Sequence, residues 1–255
     1  MTSAAHSGRG DISRSLDLMW RGREPSSRGP KPGLTLERIV EAAVELADRD
    51  GIAALSMRNV ATALGVGTMS LYRYVPGKSE LLDLMLDHVE APGPGPAETT
   101  GKDWRTALQT VGEGSYRLFL RHPWLLQVNQ ARPLLGPNAL LNFEFTLAAL
   151  DGLGLTSREK IGLITTLDAY VSGLARQHVL AAQANEEAEL SQEQFWATQG
   201  PVMTLAYESG AYPHVFALDP ETFSVESPEY TVRFGLARLL DGFEAFIATR
   251  NGDAG

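Results

Sequence analysis

The stretch Leu55–Lys78, LSMRNVATALGVGTMSLYRYVPGK, decides how this chain is read. Ser56 is a good N-cap, and Val60, Ala61 and Leu64 after it share one face of a short helix. Gly65-Val66 then makes a tight turn, where a left-handed C-cap suits glycine and no β-branched residue. A second helix runs from about Thr68 to Tyr74 and stops at Pro76-Gly77. Two short helices across such a turn, with the small Ala61 and Val66 at their crossing, form a helix-turn-helix. In the second helix Leu71 points inward, which leaves Thr68, Met69, Ser70, Tyr72, Arg73 and Tyr74 for the outer faces. These side chains suit phosphates and base edges, and Met69 suits a thymine methyl. Lys78 and the amides opening the next helix fit a phosphate. A plainer reading is an ordinary helical hairpin with Tyr72 and Tyr74 packed inside, and helical spacing alone does not separate the two.

On the N-terminal side, Thr35 caps a helix whose Ile39, Val40, Ala43, Val44, Leu46 and Ala47 recur at helical spacing until Gly51. On the C-terminal side, Ser79 to Glu90 is amphipathic through Leu81, Leu82, Leu84, Met85, Leu86 and Val89. Residues 1–33 are rich in Ser, Gly, Pro and Arg, with Leu16, Leu18, Met19 and Trp20 among their few apolar residues, and read as a flexible arm. The run Ala91-Pro92-Gly93-Pro94-Gly95-Pro96 opens a linker over 91–102. Beyond it the pattern predicts helices near 103–121, 124–131, 138–151, 157–187, 191–208 and 229–249, with an irregular connection at 209–228. Strand signals are nearly absent. The expected fold is all-α: an N-terminal three-helix helix-turn-helix domain at 34–90 and a larger helical ligand-binding and dimerisation domain at 103–250.

A chain of 255 residues with 44% hydrophobic and 21% charged residues can bury the cores of two such domains. Its net charge of −9 argues at first against nucleic acid. The distribution changes that: residues 1–33 carry six Lys/Arg against three Asp/Glu, residues 34–90 five against nine, and residues 91–255 eleven against nineteen. A protein that touches DNA with one end, and must not coat it, can have this polarity. With no cysteine, there is no disulfide, thiolate metal site or cysteine nucleophile. No apolar run reaches the ~20 residues of a membrane span, and the first residues lack a signal-peptide core, so a cytoplasmic location without membrane contact is expected. His6, His88, His122, His178 and His214 form no metal-binding array, and no P-loop or nucleophile elbow is present; neither catalysis, a metal nor a cofactor is expected.

Arg28-Gly29-Pro30-Lys31-Pro32-Gly33 lies directly before the first reading-head helix. This proline-stiffened segment resembles an AT-hook, in which Arg28 and Lys31 would enter a minor groove. A solvated basic tail is the alternative.

The segment from Leu34 to Val89 resembles the DNA-binding domain of the tetracycline-repressor (TetR) family, above all in G-V-G-x-x-S-L-Y-x-Y followed by Gly77-Lys78. The resemblance implies that Arg58, Thr68, Met69, Ser70, Tyr72, Arg73, Tyr74 and Lys78 face an operator in double-stranded DNA. In the tetracycline repressors the position of Arg73 is aromatic and that of Tyr74 is histidine, so their base preference does not transfer. The stretch RHPWLLQVNQARPLLGPNALLNFEFTLAALDGLGL, followed by YVSGLARQ, is similar to the regulatory domain of actinobacterial exporter regulators in the same family. It implies a repressor released from a palindromic operator by an antibiotic-like inducer, and control of an antibiotic or multidrug exporter. A ligand-responsive activator, or a DNA-binding protein without a ligand, is the alternative.

A pocket for such an inducer wants aromatic walls and a few polar groups. Trp104, Trp124, Phe143, Tyr170, Phe195 and Met203 are candidates for the first, and Asn129, Asn138, Gln177 and His178 for the second. Two helices are candidates for a homodimer face: 157–187, through Ile164, Leu167, Val171, Gly173 and Leu174, and 229–249, through Val232, Leu236, Leu239, Leu240, Phe243 and Phe246. The same stripes would also serve the protomer's own core.

Overall fold

In a computed structural model, the structure describes residues 5–22, 33–91, 103–188, 191–219 and 228–252. The reading head comprises α2 (Leu36–Asp50), α3 (Met57–Ala63), α4 (Thr68–Leu71) and α5 (Lys78–Val89), and is preceded by α1 (Ile12–Arg21). The second half holds α6 (Trp104–Arg121), α7 (Pro137–Ala149), α8 (Ser157–Glu187), α9 (Gln192–Glu208), the short α10 (Pro213–Phe216) and α11 (Pro228–Gly252). The all-α expectation holds, and the long helices fall where the apolar periodicity placed them. Their starts follow from caps: Thr35, Ser56 and Asp103 each accept a backbone N–H from the first turn, and Thr156 and Ser191 form capping boxes with Glu159 and Gln194.

Two expectations need correction. The segment expected as a flexible arm contains α1, capped by Asp11, with Ser15 and Met19 buried. Leu16, Leu18 and Met19 pack on the apolar core, and Ser15 and the Asp11 amide bond to carboxylates of α5, partners too distant in the chain to show in a composition rich in Ser, Gly, Pro and Arg. The helix expected over 124–131 is instead a 3₁₀ turn, Pro123–Gln127, running into β2 (Val128–Asn129). There the backbone leaves the helical path to pair in parallel with β1 (Ala5–His6).

The apolar side chains form two clusters. The first joins α1 to α5 and takes in Trp124, Leu125 and Val128 from the second half, so the core boundary does not follow the expected domain boundary. The second joins α6, α8 and α11 through Leu108, Leu167, Val171, Leu236, Leu240 and Phe243. Most of the stripe expected at a dimer face is thus spent inside the protomer: Leu167, Val171, Val232, Leu236, Leu240 and Phe243 are buried, and Ile164, Leu174 and Leu239 pack against them. Gly173 and Phe246 of the expected stripe do face outward, together with the exposed Ile161, Leu180 and Phe234 on the same helices. Among the described residues no helix is long and apolar enough to cross a membrane.

Candidate nucleic-acid interface and ligand cleft

The turn between α3 and α4 is built as the sequence requires. Gly65 has φ +67°, a left-handed conformation that a side chain would strain, and the Val66 amide donates to the Ala61 carbonyl at 3.0 Å. Leu71 and Val75 are fully buried, which fixes the roll of α4 on the core. That roll turns the remaining side chains outward. Met69 is 77% exposed and Tyr72 45%, while Arg73, Lys78 and Arg58 on α3 are also exposed. Thr68 and Ser70 are half-buried beside them. The alternative in which Tyr72 packs inside does not apply. An apolar side chain and an aromatic left in water among three cations are unfavourable in isolation, and they suit a groove whose walls are methyls, base edges and phosphates.

Tyr74 is set differently. Its ring is half-buried against the first cluster, and its hydroxyl donates to the Leu34 carbonyl at 3.0 Å. It ties α4 to the residue leading into α2, so its hydroxyl is engaged within the protomer rather than offered to a phosphate. Arg28 and Lys31 lie outside the described residues.

Beneath this surface runs a feature that the sequence reading missed. Glu80, Asp83, Asp87 and Glu90 follow at 3–4-residue spacing along α5, a pattern that reads as a solvated helix face. Here that face is covered. Glu80 accepts from the Asp11 amide at 2.8 Å. Asp83, 1% exposed, accepts from the Gly8 amide at 2.9 Å and from the hydroxyls of Ser15 at 2.8 Å and Ser7 at 3.2 Å. Asp87 accepts from the Asn138 and Ala139 amides at 3.0 and 3.2 Å, at the N-terminus of α7. Residues 5–22 therefore strap α5 to the β2 region, and Trp20 adds an Nε1–H bond to the Leu135 carbonyl at 3.2 Å. A second tie joins the halves from α2, where Asp48 Oδ1 accepts from Trp124 Nε1 at 2.7 Å and meets His122 Nδ1 at 2.8 Å.

The last carboxylate of the row, Glu90, opens on a cleft of about 470 Å³ between α5, the strap, the loop before α7, α7 and α8. Leu86, Leu134, Leu135 and Phe143 supply its apolar wall, and Asp168 of α8 faces it. Burial pushes the Glu90 carboxyl up to about 7, helped by the like charges of Asp87 and Asp168, and burial also raises Asp168.

The candidate inducer contacts do not gather in one place. Phe143 lines this cleft, and Asn138 stands behind it with its Nδ2 donating to the Asp87 carbonyl at 2.7 Å. Asn129 is exposed, and its side chain accepts from the Ala131 amide. Trp124, 1% exposed, belongs to the first cluster. Trp104 and Tyr170 pack against the second, where the Tyr170 hydroxyl donates to the Thr231 carbonyl at 3.2 Å. His178 Nδ1 lies 2.6 Å from the Tyr116 hydroxyl and its pKa is lowered by burial, while Gln177 is exposed. Phe195 and Met203 sit on α9, which shows both to solvent together with Trp196 and Leu205.

Comparison with known proteins agrees with this architecture. Residues 39–85 match the model of the bacterial regulatory proteins of the tetR family, and residues 96–247 match the tetracyclin repressor-like C-terminal domain. The chain is 48% identical over 253 residues to the HTH-type transcriptional repressor DrrR1 of Streptomyces coeruleorubidus, covering 99% of this chain and 93% of that protein. A regulator of Saccharopolyspora erythraea is 41% identical over 155 residues, covering 61% of this chain and 65% of its own. Among solved structures, a TetR regulator of Streptomyces coelicolor superposes with a TM-score of 0.63 at 26% identity, over 83% of this chain and 98% of that one. The S. coelicolor TetR protein ActR in complex with actinorhodin superposes with a TM-score of 0.58 at 25% identity, over 85% and 97%. A reading head and a regulatory half, each matched by its own family model, establish that the chain belongs to the TetR family of bacterial regulatory proteins, and that it is a DNA-binding regulator rather than an enzyme.

Proposed function

We propose that the protein is a homodimeric repressor that holds a palindromic operator through Arg58, Thr68, Met69, Ser70, Tyr72, Arg73 and Lys78, and releases it when an antibiotic-like molecule binds the helical half. The observation that carries this is the outward set of Met69, Tyr72 and Arg73 on a helix locked in place by buried Leu71 and Val75. DrrR1, a transcriptional repressor aligned over almost the whole chain, supports the sign of regulation, and the ActR–actinorhodin complex supports a small-molecule inducer. A DNA partner supports a cytoplasmic location. Control of an exporter gene is part of the proposal and rests on the similarity of the regulatory half to exporter regulators.

A two-fold operator needs two reading heads about one DNA turn apart. The faces of α8 and α11 carrying Ile161, Gly173, Phe234 and Phe246 would join two protomers, and the apolar surface of α9 would be covered in that assembly. Footprinting on the DNA upstream of the protein's own gene tests the proposal. Protection of two symmetric half-sites, lost on adding an extract of the source organism, is the expected result. Protection without symmetry, or unchanged by any extract, would overturn it.

A further inference from the structure

The cleft at the end of α5 combines features that define the chemistry of an occupant. Its volume of about 470 Å³ is that of a small-molecule site. One wall is apolar, with Phe143 39% and Leu135 56% exposed. The polar side holds the neutral Ser7 and Gln130 and four carboxylates, Asp83, Asp87, Glu90 and Asp168, and none of the residues described as lining it is Lys, Arg or His. Asp83 and Asp87 are engaged by neutral amide and hydroxyl donors, which leaves Glu90 and Asp168 as the acids with charge to offer. Glu90 is half-buried and Asp168 exposed, and their like charges repel, so a cation would relieve the repulsion and an anionic occupant would add to it. Among the described residues no three such groups are placed to hold a metal ion, which turns the choice toward an organic cation.

We propose that this cleft takes an apolar, ring-bearing molecule with a protonated amine, the ammonium meeting the carboxylates of Glu90 and Asp168 and the rings lying against Phe143 and Leu135. The inference rests on the ligand-responsive reading above and names the chemistry of that ligand. An aromatic face beside the ammonium adds cation–π attraction. The position also explains how occupancy would reach DNA. Glu90 ends the helix that opens with Lys78, and Ser7 of the strap lines the same cleft, so a ligand here presses on both α5 and its clamp.

The test uses the full chain and three probes of one ring system: 2-(1-naphthyl)ethylamine, its N-acetyl derivative and 1-naphthylacetate. Titration calorimetry at about pH 8, where Glu90 is largely ionised, should show the amine binding roughly tenfold or more tighter than the acetamide. The acetate should bind weakest. In Glu90→Gln/Asp168→Asn the preference for the amine over the acetamide should vanish, with the circular dichroism spectrum and melting unchanged or improved. Equal affinities in the parent, a preference for the acetate, no binding of the amine, or a preference that survives in the double variant would each overturn the proposal. Failure here is distinguishable from failure of the repressor reading, because operator protection in the absence of any probe does not depend on the cleft.

Discussion

Among the ties that hold residues 5–22, Asp83 receives three hydrogen bonds, and removing it has a calculable effect. In Asp83→Ala the Gly8 amide at 2.9 Å and the Ser15 hydroxyl at 2.8 Å lose a charged acceptor, and Ser7 loses a longer bond at 3.2 Å. Ser15 is fully buried, so water cannot take the place of the carboxylate without opening the interface. A hydrogen bond to a charged group contributes about 1.5–3 kcal/mol, and relief of carboxylate burial offsets part of two such bonds. The net loss should be about 2–4 kcal/mol, measured by urea unfolding followed by far-UV circular dichroism. Ser15→Ala removes a single donor and should cost about 1–2 kcal/mol. The released strap should also become cleavable by trypsin after Arg14 and Arg21, whose side chains are already exposed and paired with Asp17. A stability within about 0.5 kcal/mol of the parent, with α1 still protected from trypsin, would refute the claim that Asp83 clamps the strap.

Two further outcomes follow from buried groups. Glu90, raised to about 7, is protonated in the folded state over a range where the unfolded chain has already ionised, so stability should fall as pH rises from about 4.5 to 7. Glu90→Gln should remove that slope and gain up to about 3 kcal/mol near pH 8, vanishing near pH 4; urea midpoints across that range check it. Asp48→Ala should leave the Trp124 indole N–H without its acceptor and break the contact with His122, at a cost of about 2–3 kcal/mol and with a changed near-ultraviolet tryptophan signal, whereas Asp48→Asn should keep much of both.

The reading head was legible because each of its requirements is local. Gly65 marks the turn, Ser56 the cap and Leu71 the buried position, and a resemblance spanning Leu34–Val89 carried the rest. The long helices were legible for the same reason, since apolar periodicity and capping residues act within a few positions. What failed to show was long-range and polar. The row Glu80, Asp83, Asp87, Glu90 has the spacing of a solvated face, and only the fold brings Gly8, Ser15 and Asn138 over it. The docking of α1 is the other half of that arrangement and was hidden with it. The dimer stripes show a different limit: an apolar row on a helix declares that it is buried, not by what, and Leu167 and Leu236 turned out to serve their own protomer. Aromatics such as Trp124 and Phe195 likewise gave no sign that one would be core and the other exposed.

Regulation by this protein requires that the α4 surface be its DNA-reading face. Fluorescence anisotropy of an operator fragment with Tyr72→Ala/Arg73→Ala tests this, because both side chains are exposed and their loss spares the core. With folding and oligomeric state matched to the parent, operator affinity should fall by about 2–6 kcal/mol, and the preference over unrelated DNA should collapse. An affinity and preference equal to the parent's would contradict the account.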